Sequence, residues 1–315
     1  MNIALIGCGA QGARWAAAVA RAGHSLTVCA DTKPPRAHKL AEQYGARSSN
    51  RPMAAIKTKS IDTVIVASPT HLHANQIVAA ARNAKHIMCE TPFTRTLSEA
   101  RSAMDVIRKS SVACYVAHAS EVEPHLHAIN RELEAGKIGP VGFIRTRRAD
   151  PTPSSTQAWY HDRAKGGGLI PNCLFNDFDW IGATAGPIEK IFIQLREERA
   201  YAFGAATLTL KTGAIAQCVA TWSSPTHTHP RTQIELCGSE GIIQFDSAQT
   251  PIHYSSSVKM PIATNPAAQT IEDLHLAAFE RAIGGNGDSL NRVLETMKVA
   301  EAALKSATTG KAVKL

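Results

Sequence analysis

No stretch of the 315 residues stays apolar for the ~20 positions a bilayer-crossing helix needs, so no membrane span is expected. Basic residues form no run, and aromatics make up only 5% of the chain. A nucleic-acid surface is therefore not expected. The formal net charge of +8 implies a modest attraction for an anionic ligand or cofactor. The seven cysteines show no C-x-x-C and no pairing rhythm, and several sit inside apolar runs. They offer no disulfide framework, and reduced thiols in a cytoplasmic protein are the expectation. The first residues lack the basic region of a secretory leader. No internal repeat is found. Charged residues at 19% and apolar residues at 44% argue for packed cores over disorder, and the length suits two domains.

What is present starts at the first strand. Asn2-Ile3-Ala4-Leu5-Ile6 is a short apolar run, as a parallel strand buried on both faces requires. It feeds directly into Gly7-Cys8-Gly9-Ala10-Gln11-Gly12, and an alanine-rich helical segment follows. This strand–G-x-G-x-x-G–helix order is the context in which the motif reads as dinucleotide binding. Gly7 permits the turn, Gly9 lets a pyrophosphate approach, Gly12 lets helix and strand pack closely, and the helix N-terminus favours negative charge. A second strand ends at Asp31, nineteen residues after Gly12, where a carboxylate can accept from ribose hydroxyls. Lys33 and Arg36 could bind a 2′-phosphate or be solvated helix-start residues. Asp31 would repel that phosphate, so NAD is expected, with NADP possible.

Strand and helix alternate to about residue 120, which predicts a doubly wound α/β domain over 1–121. Gly9, Asp31, Ser68 and Glu90 fall at the C-terminal ends of its strands. Residues 122–315 change character. A helix over 124–135 precedes a strand from 141, a Pro/Ser/Thr-rich loop over 150–157, a triple glycine and a helix through Trp180. Five strand-like runs over 188–246 and a helix pair, 271–283 and 289–308, follow. This predicts an α+β domain on an open, mostly antiparallel sheet. His227 and His229 alternate like metal ligands, but no third ligand is evident and no metal is expected.

The Gly7–Gly12 loop, Ser68-Pro69-Thr70 with His73, Cys89-Glu90-Thr91-Pro92, the triple glycine 166–168 with Asp177 and Asp179, Gly238-Ser239-Glu240-Gly241, and the closing 306–315 occur in one order. Together they resemble the glucose–fructose oxidoreductase, inositol dehydrogenase and rhizopine-catabolism (Gfo/Idh/MocA) family of NAD(P)-dependent oxidoreductases. The resemblance covers nearly the whole chain. It implies a Rossmann domain, a sheet domain often used for oligomerisation, here as a homodimer or homotetramer, and a nicotinamide over the cleft between them. It implies cofactor binding by Gly7, Gly9, Ala10, Gln11, Gly12, Asp31, Ser68, Pro69, Thr70, His73 and Glu90.

The resemblance also exposes a departure. The family usually carries a lysine where this chain has Thr91, and an aspartate and a histidine where it has Asn172 and Asn176. None of the three can act as acid or base near neutral pH. They are the candidate catalytic positions, one helical turn separating Asn172 from Asn176, with His118 and Tyr160 as groups that could substitute. Trp159, Asp162 and Lys165 are candidate substrate contacts, although Asp162 and Lys165 could equally be an i,i+3 surface pair. A nicotinamide oxidoreductase with an altered site, acting on a small molecule such as an imine, a cyclic hemiacetal or a biosynthetic intermediate, is the first reading. A non-catalytic nicotinamide-binding regulator or complex subunit, and a lyase or isomerase, stay open beside it.

Overall fold

A computed structural model describes residues 1–118, 120, 122–198, 200–223, 230–254, 269–284 and 290–315. His227 and His229 lie outside the described residues. The chain forms two compact units.

The first unit begins with β1 (Asn2–Ile6), α1 (Ala10–Arg21), β2 (Ser25–Ala30), α2 (Pro34–Tyr44), β3 (Arg47–Ser49) and α3 (Pro52–Ile56). Next come β4 (Thr63–Val66), α4 (His73–Arg82), β5 (His86–Cys89), α5 (Leu97–Arg108) and β6 (Cys114–Val116). The six strands lie in the order β3-β2-β1-β4-β5-β6, every pair parallel. This is the doubly wound Rossmann order. The order reverses between β1 and β4, and such a switch point opens a crevice at the strand C-termini. The central strands β1 and β4 read as largely apolar runs because helices cover both faces; Ile3, Ala4, Leu5, Ile6, Val64, Ile65 and Val66 are all buried. Thr96 caps α5 with a reciprocal box to Glu99.

The second unit holds α6 (Pro124–Glu134), β7 (Val141–Pro151), α7 (Phe175–Thr184), β8 (Ile188–Glu197), β9 (Ala202–Leu210), β10 (Ile215–Ser223), β11 (Arg231–Gly238), β12 (Ile242–Asp246) and β13 (Gln249–Tyr254). After α8 (Ile271–Ile283) and α9 (Leu290–Thr309), β14 (Val313–Lys314) completes its sheet. The order is β13-β12-β11-β7-β10-β9-β8-β14, antiparallel except for β7 with β10. Alternation gives this sheet one buried face, with Ile144, Thr146, Ala206, Leu208, Ala216 and Cys218, and one open face on which Phe203 and Ile215 are 43% and 45% exposed.

The α/β-plus-antiparallel-sheet architecture agrees with the sequence reading. The assignment of residues to units is less simple than a division after residue 121. Helix α8 belongs to the first unit. Its Leu276 and Phe279 join the core of Trp15, Val19, Leu5, Met88 and Tyr115. Arg21 pairs with Asp273 at 2.8 Å, and the Tyr115 hydroxyl meets His275 Nδ1 at 2.8 Å. An amphipathic helix says that it needs an apolar partner but not which one. Among the described residues, no helix is long and apolar enough to cross a membrane.

Candidate functional site

In the first unit the motif residues converge on the switch point. Gly7 has φ +99°, and a side chain there would meet the carbonyl oxygen of Ala67 at 2.5 Å, so the turns after β1 and β4 nearly touch. A Cβ on Gly12 would lie 2.0 Å from the Gly7 oxygen. Both glycines are demanded by packing. Gly9 is not: its backbone (φ −78°, ψ −163°) suits any residue, and the nearest atom to an added Cβ is Arg36 Nη1 at 4.0 Å. The loop thus keeps an open approach where the fold itself does not require one, at the N-terminus of α1, whose first turn carries no acid. These residues fit a dinucleotide pyrophosphate.

Asp31 is buried. One oxygen accepts from the Cys8 N–H at 2.9 Å and the other from the Lys33 N–H at 2.8 Å. The carboxylate therefore fixes the glycine turn to the end of β2, and each oxygen keeps lone-pair capacity for a ligand hydroxyl. Ser68 donates to Gln76 at 2.7 Å. Pro69 precedes a short helical turn in which Thr70 is buried. The His73 ring is buried, with its nitrogens 2.7 Å from the Ser68 oxygen and 3.0 Å from the Pro92 oxygen. His73 thereby ties the loop after β4 to the loop after β5, which contains Thr91; burial keeps it below the usual histidine range. His118 is buried just beyond β6.

Glu90 turns inward, accepting from Trp15 Nε1 and from Gln11 Nε2 at 2.7 Å. Gln11 also reaches Glu272 of α8 at 3.3 Å. Burial raises the Glu90 carboxyl above the ordinary glutamate value, its two donors oppose the rise, and Glu272 adds to it. The folded state then binds the proton more tightly than the unfolded chain. Stability should fall as pH rises from the ordinary glutamate value through the raised one. Urea titrations should show Glu90→Gln gaining on the unmodified protein across that window. Parallel pH profiles for the two proteins would contradict the burial argument.

In the second unit the triple glycine forms a locked turn. Gly167 and Gly168 have φ of +83° and +79°, and a Cβ on Gly168 would strike Glu197 Oε1 at 2.3 Å. Glu197 accepts the Leu169 N–H at 2.6 Å and pairs with Arg163 at 3.0 Å. Asn172 gives both amide hydrogens to this turn, to the oxygens of Gly166 (2.7 Å) and Gly168 (2.6 Å). Residues Ile170–Leu174 form a π-helical turn rather than regular α-helix. The turn is wider there, so the expectation that Asn172 and Asn176 lie one regular turn apart does not carry over. Asn172 is committed to the glycines, whereas Asn176 Oδ1 is buried with no partner among the described residues. Asp162 and Lys165 form a largely exposed pair at 3.1 Å. Trp159 stacks on Tyr160 at 3.9 Å, and Tyr160 and His161 set their rings against Trp222 at 6.4 and 5.1 Å.

Sequence reasoning passed over the end of β7. Asp177, buried in α7, pairs with Arg148 at 2.9 Å. Burial works against the Arg148 charge, but Asp177 and Glu123 outweigh it and hold it protonated; burial in turn raises Asp177. Asp150 accepts from the Cys173 thiol at 3.6 Å. Strand alternation, which puts Arg148 and Asp150 on one side of β7, was the available signal. Asp179 accepts from Thr296 at 3.0 Å within the core. No cluster of His, Cys, Asp or Glu among the described residues could hold a metal ion.

Residues 1–118 match the family model described as "Oxidoreductase family, NAD-binding Rossmann fold", and residues 126–244 match "GFO/IDH/MocA C-terminal domain". The chain belongs to the Gfo/Idh/MocA family. This Gfo/Idh/MocA protein is 24% identical over 304 residues to inositol 2-dehydrogenase of Rhizobium meliloti, covering 94% of this chain and 89% of that one. It is 30% identical over 162 residues to scyllo-inositol 2-dehydrogenase (NAD(+)) of Bacillus subtilis, covering 50% and 45%. Its fold superposes on levoglucosan dehydrogenase in complex with NADH with a TM-score of 0.87 at 21% identity, covering 100% and 98%. The family's N-terminal domain is an NAD-binding Rossmann fold, and the Gly7–Gly12 turn occupies its place here.

Proposed function

We propose that this protein is an NAD-dependent oxidoreductase of a small, hydroxyl- or imine-bearing molecule that does not use the family's lysine–histidine proton relay. The observation that carries the reading is the commitment of Asn172: both its amide hydrogens hold the glycine turn. Thr91 and Asn176 can hydrogen-bond but cannot titrate near neutral pH. The Gly7–Gly12 turn would hold the pyrophosphate and Asp31 the adenosine ribose; a bound nicotinamide would exchange a hydride with the substrate. Relatives named for inositols and levoglucosan suggest a polyol-like or cyclic hemiacetal shape for the ligand. The open face of the second unit's sheet, with Phe203 and Ile215 bare, suits a homodimer or homotetramer; light scattering that reads a monomer would remove this part. All seven cysteines are unpaired thiols, in keeping with a reducing, cytoplasmic location.

The test is turnover of myo-inositol, scyllo-inositol and levoglucosan with NAD+, beside mass spectrometry of whatever the purified protein retains. The expected result is a retained or readily bound nicotinamide. Polyol oxidation should run about 10²-fold or more below that of an enzyme with an intact acid–base set. Fast polyol oxidation would show that the ordinary relay is dispensable here. A preference for NADPH over NADH would move the ribose assignment from Asp31 to Lys33 and Arg36.

A further inference from the structure

Two thiols meet under the glycine turn of the first unit. Cys29 and Asp31 are alternate residues at the end of β2, so their side chains leave on one face. Leu5, paired with Cys29 in the β1–β2 register, shares that face, and Leu5, Cys8 and Cys29 lie in one buried cluster. The Asp31 carboxylate accepts the Cys8 N–H at 2.9 Å, which draws Cys8 over the same face. The Cys8 and Cys29 thiols are hydrogen-bonded to each other. That bond and burial push Cys8 up, and the same bond pulls Cys29 down against burial. Cys29 is sealed, whereas Cys8 keeps 6% of its surface exposed. The oxidoreductase reading uses neither sulfur.

The turn around Cys8 can yield in one place. The Gly7 N–H donates to the Ala30 oxygen at 2.8 Å, and Gly7 lies tight against the Ala67 carbonyl. Gly12 is as tight against the Gly7 oxygen. Gly9 has open space around it, with Arg36 Nη1 the nearest atom to an added Cβ, at 4.0 Å. Hydrogen-bonded thiols stand farther apart than the ~2 Å of a disulfide. Closing that gap pulls Cys8 toward β2. With Gly7 and Gly12 held, the displacement falls on Cys8 and Gly9, and it strains the Cys8 N–H bond to Asp31. Both the bare backbone at the α1 N-terminus and the ribose carboxylate are thereby disturbed. Arg36 also favours a negative Cys8 sulfur once its proton moves.

We propose that Cys8 and Cys29 are a peroxide-sensitive dithiol, and that its oxidation to a disulfide shuts the glycine turn to the dinucleotide. The proposal rests on dinucleotide binding at this turn and on no particular substrate. The Cys8 proton passes to the Cys29 sulfur as the Cys8 sulfur attacks one oxygen of hydrogen peroxide. The O–O bond breaks, hydroxide leaves and is protonated to water, and Cys8 becomes a sulfenic acid. The Cys29 sulfur then attacks the Cys8 sulfur, the S–OH bond breaks, and the Cys29 proton leaves with that hydroxide as a second water. In sum two thiols lose two electrons and two protons, and hydrogen peroxide is reduced to two waters. An external dithiol reverses the step by exchange. A disulfide of this transient kind is the sort that a reducing compartment permits. By reciprocity, a bound dinucleotide that holds Gly9 in place should slow the oxidation.

The test treats the reduced protein with hydrogen peroxide, with and without NADH, and removes the excess with catalase. Alkylation and mass spectrometry then map the thiols, and fluorescence titration reads NADH affinity. The expected product is a peptide pair joined through Cys8 and Cys29. NADH affinity should fall about tenfold or more, the worth of one lost hydrogen bond to a charged phosphate, and return with dithiothreitol. Saturating NADH should slow the linkage. Cys29→Ala and Cys29→Val, with melting curves to report the fold, should bind NADH as the reduced unmodified protein does and keep that affinity after peroxide. Peroxide that leaves the two cysteines unlinked overturns the proposal. So does a linked protein that binds NADH unchanged, or a folded Cys29 variant that loses affinity to the same extent. These three outcomes leave the cofactor reading standing, whereas a reduced protein that binds no NADH overturns both.

Discussion

Gly9→Val is expected to abolish saturable NADH binding while leaving the protein folded. The glycine is not needed for packing or for its backbone angles, because an added Cβ finds only Arg36 Nη1, at 4.0 Å. What the side chain fills is the approach to the α1 N-terminus, where a pyrophosphate would need the bare backbone. The structural cost is that of a poor N-cap, about 1 kcal/mol, which thermal melting would register as a small shift. Gly12→Ala supplies the contrast. Its Cβ would sit 2.0 Å from the Gly7 oxygen, and backbone cannot move aside cheaply. It should lose roughly 3 kcal/mol of stability, the range of severe point substitutions. Fluorescence titration and melting on the two variants separate a ligand-driven glycine from a packing-driven one. Unchanged NADH affinity in Gly9→Val would mean that the turn does not hold the cofactor.

Restoring the family's usual residues should harm this protein rather than help it. Asn172→Asp replaces a double donor with an acceptor 2.6–2.7 Å from two carbonyl oxygens. Both hydrogen bonds are lost and repulsion takes their place, so the loss should exceed that of Asn172→Ala, itself about 1–3 kcal/mol. The glycine turn would then lose its Asn172 clamp and keep its backbone bonds to Asp162 and Tyr160 and the Leu169 N–H bond to Glu197. The combined Thr91→Lys, Asn172→Asp, Asn176→His variant should therefore be less stable and no faster on myo-inositol than the unmodified protein. The three are changed together because residues that act as a unit are not additive. A triple variant that gains robust polyol oxidation would show that only the side chains, and not the local backbone, separate this site from its relatives.

The Rossmann half was largely legible because its information is local. β1, β2, β4 and β5 are apolar runs, and each glycine of the first turn has a one-residue reason. β3 escaped because Arg47-Ser48-Ser49 is a short, largely exposed edge with no apolar signature. In the second half the strand runs over 188–246 were readable from alternation, but β7 was cut short. Arg147-Arg148-Ala149-Asp150 reads as polar loop unless one knows that its buried side meets Asp177 and Cys173, partners more than twenty residues away. The π-helical turn had no signal at all, since Ile170-Pro171-Asn172-Cys173-Leu174 would suit the start of an ordinary helix. Side-chain commitments were the least readable level. Ser68 and Glu90 could be put at strand ends from the sequence, yet what they, Gln11 and His73 touch depends on loops brought together only by the fold.

The return of α8 to the first unit bears on how the chain is made. Domains fold largely as they emerge, N-terminal first. Here the wall of Trp15, Val19 and Tyr115 waits for Leu276 and Phe279, which leave the ribosome only after strands β7 to β13. For most of synthesis the nascent Rossmann sheet carries an uncovered apolar flank. A ribosome-bound chain ending near residue 250 should therefore recruit holdase chaperones, and one tethered by a linker long enough for residue 283 to clear the exit tunnel should release them.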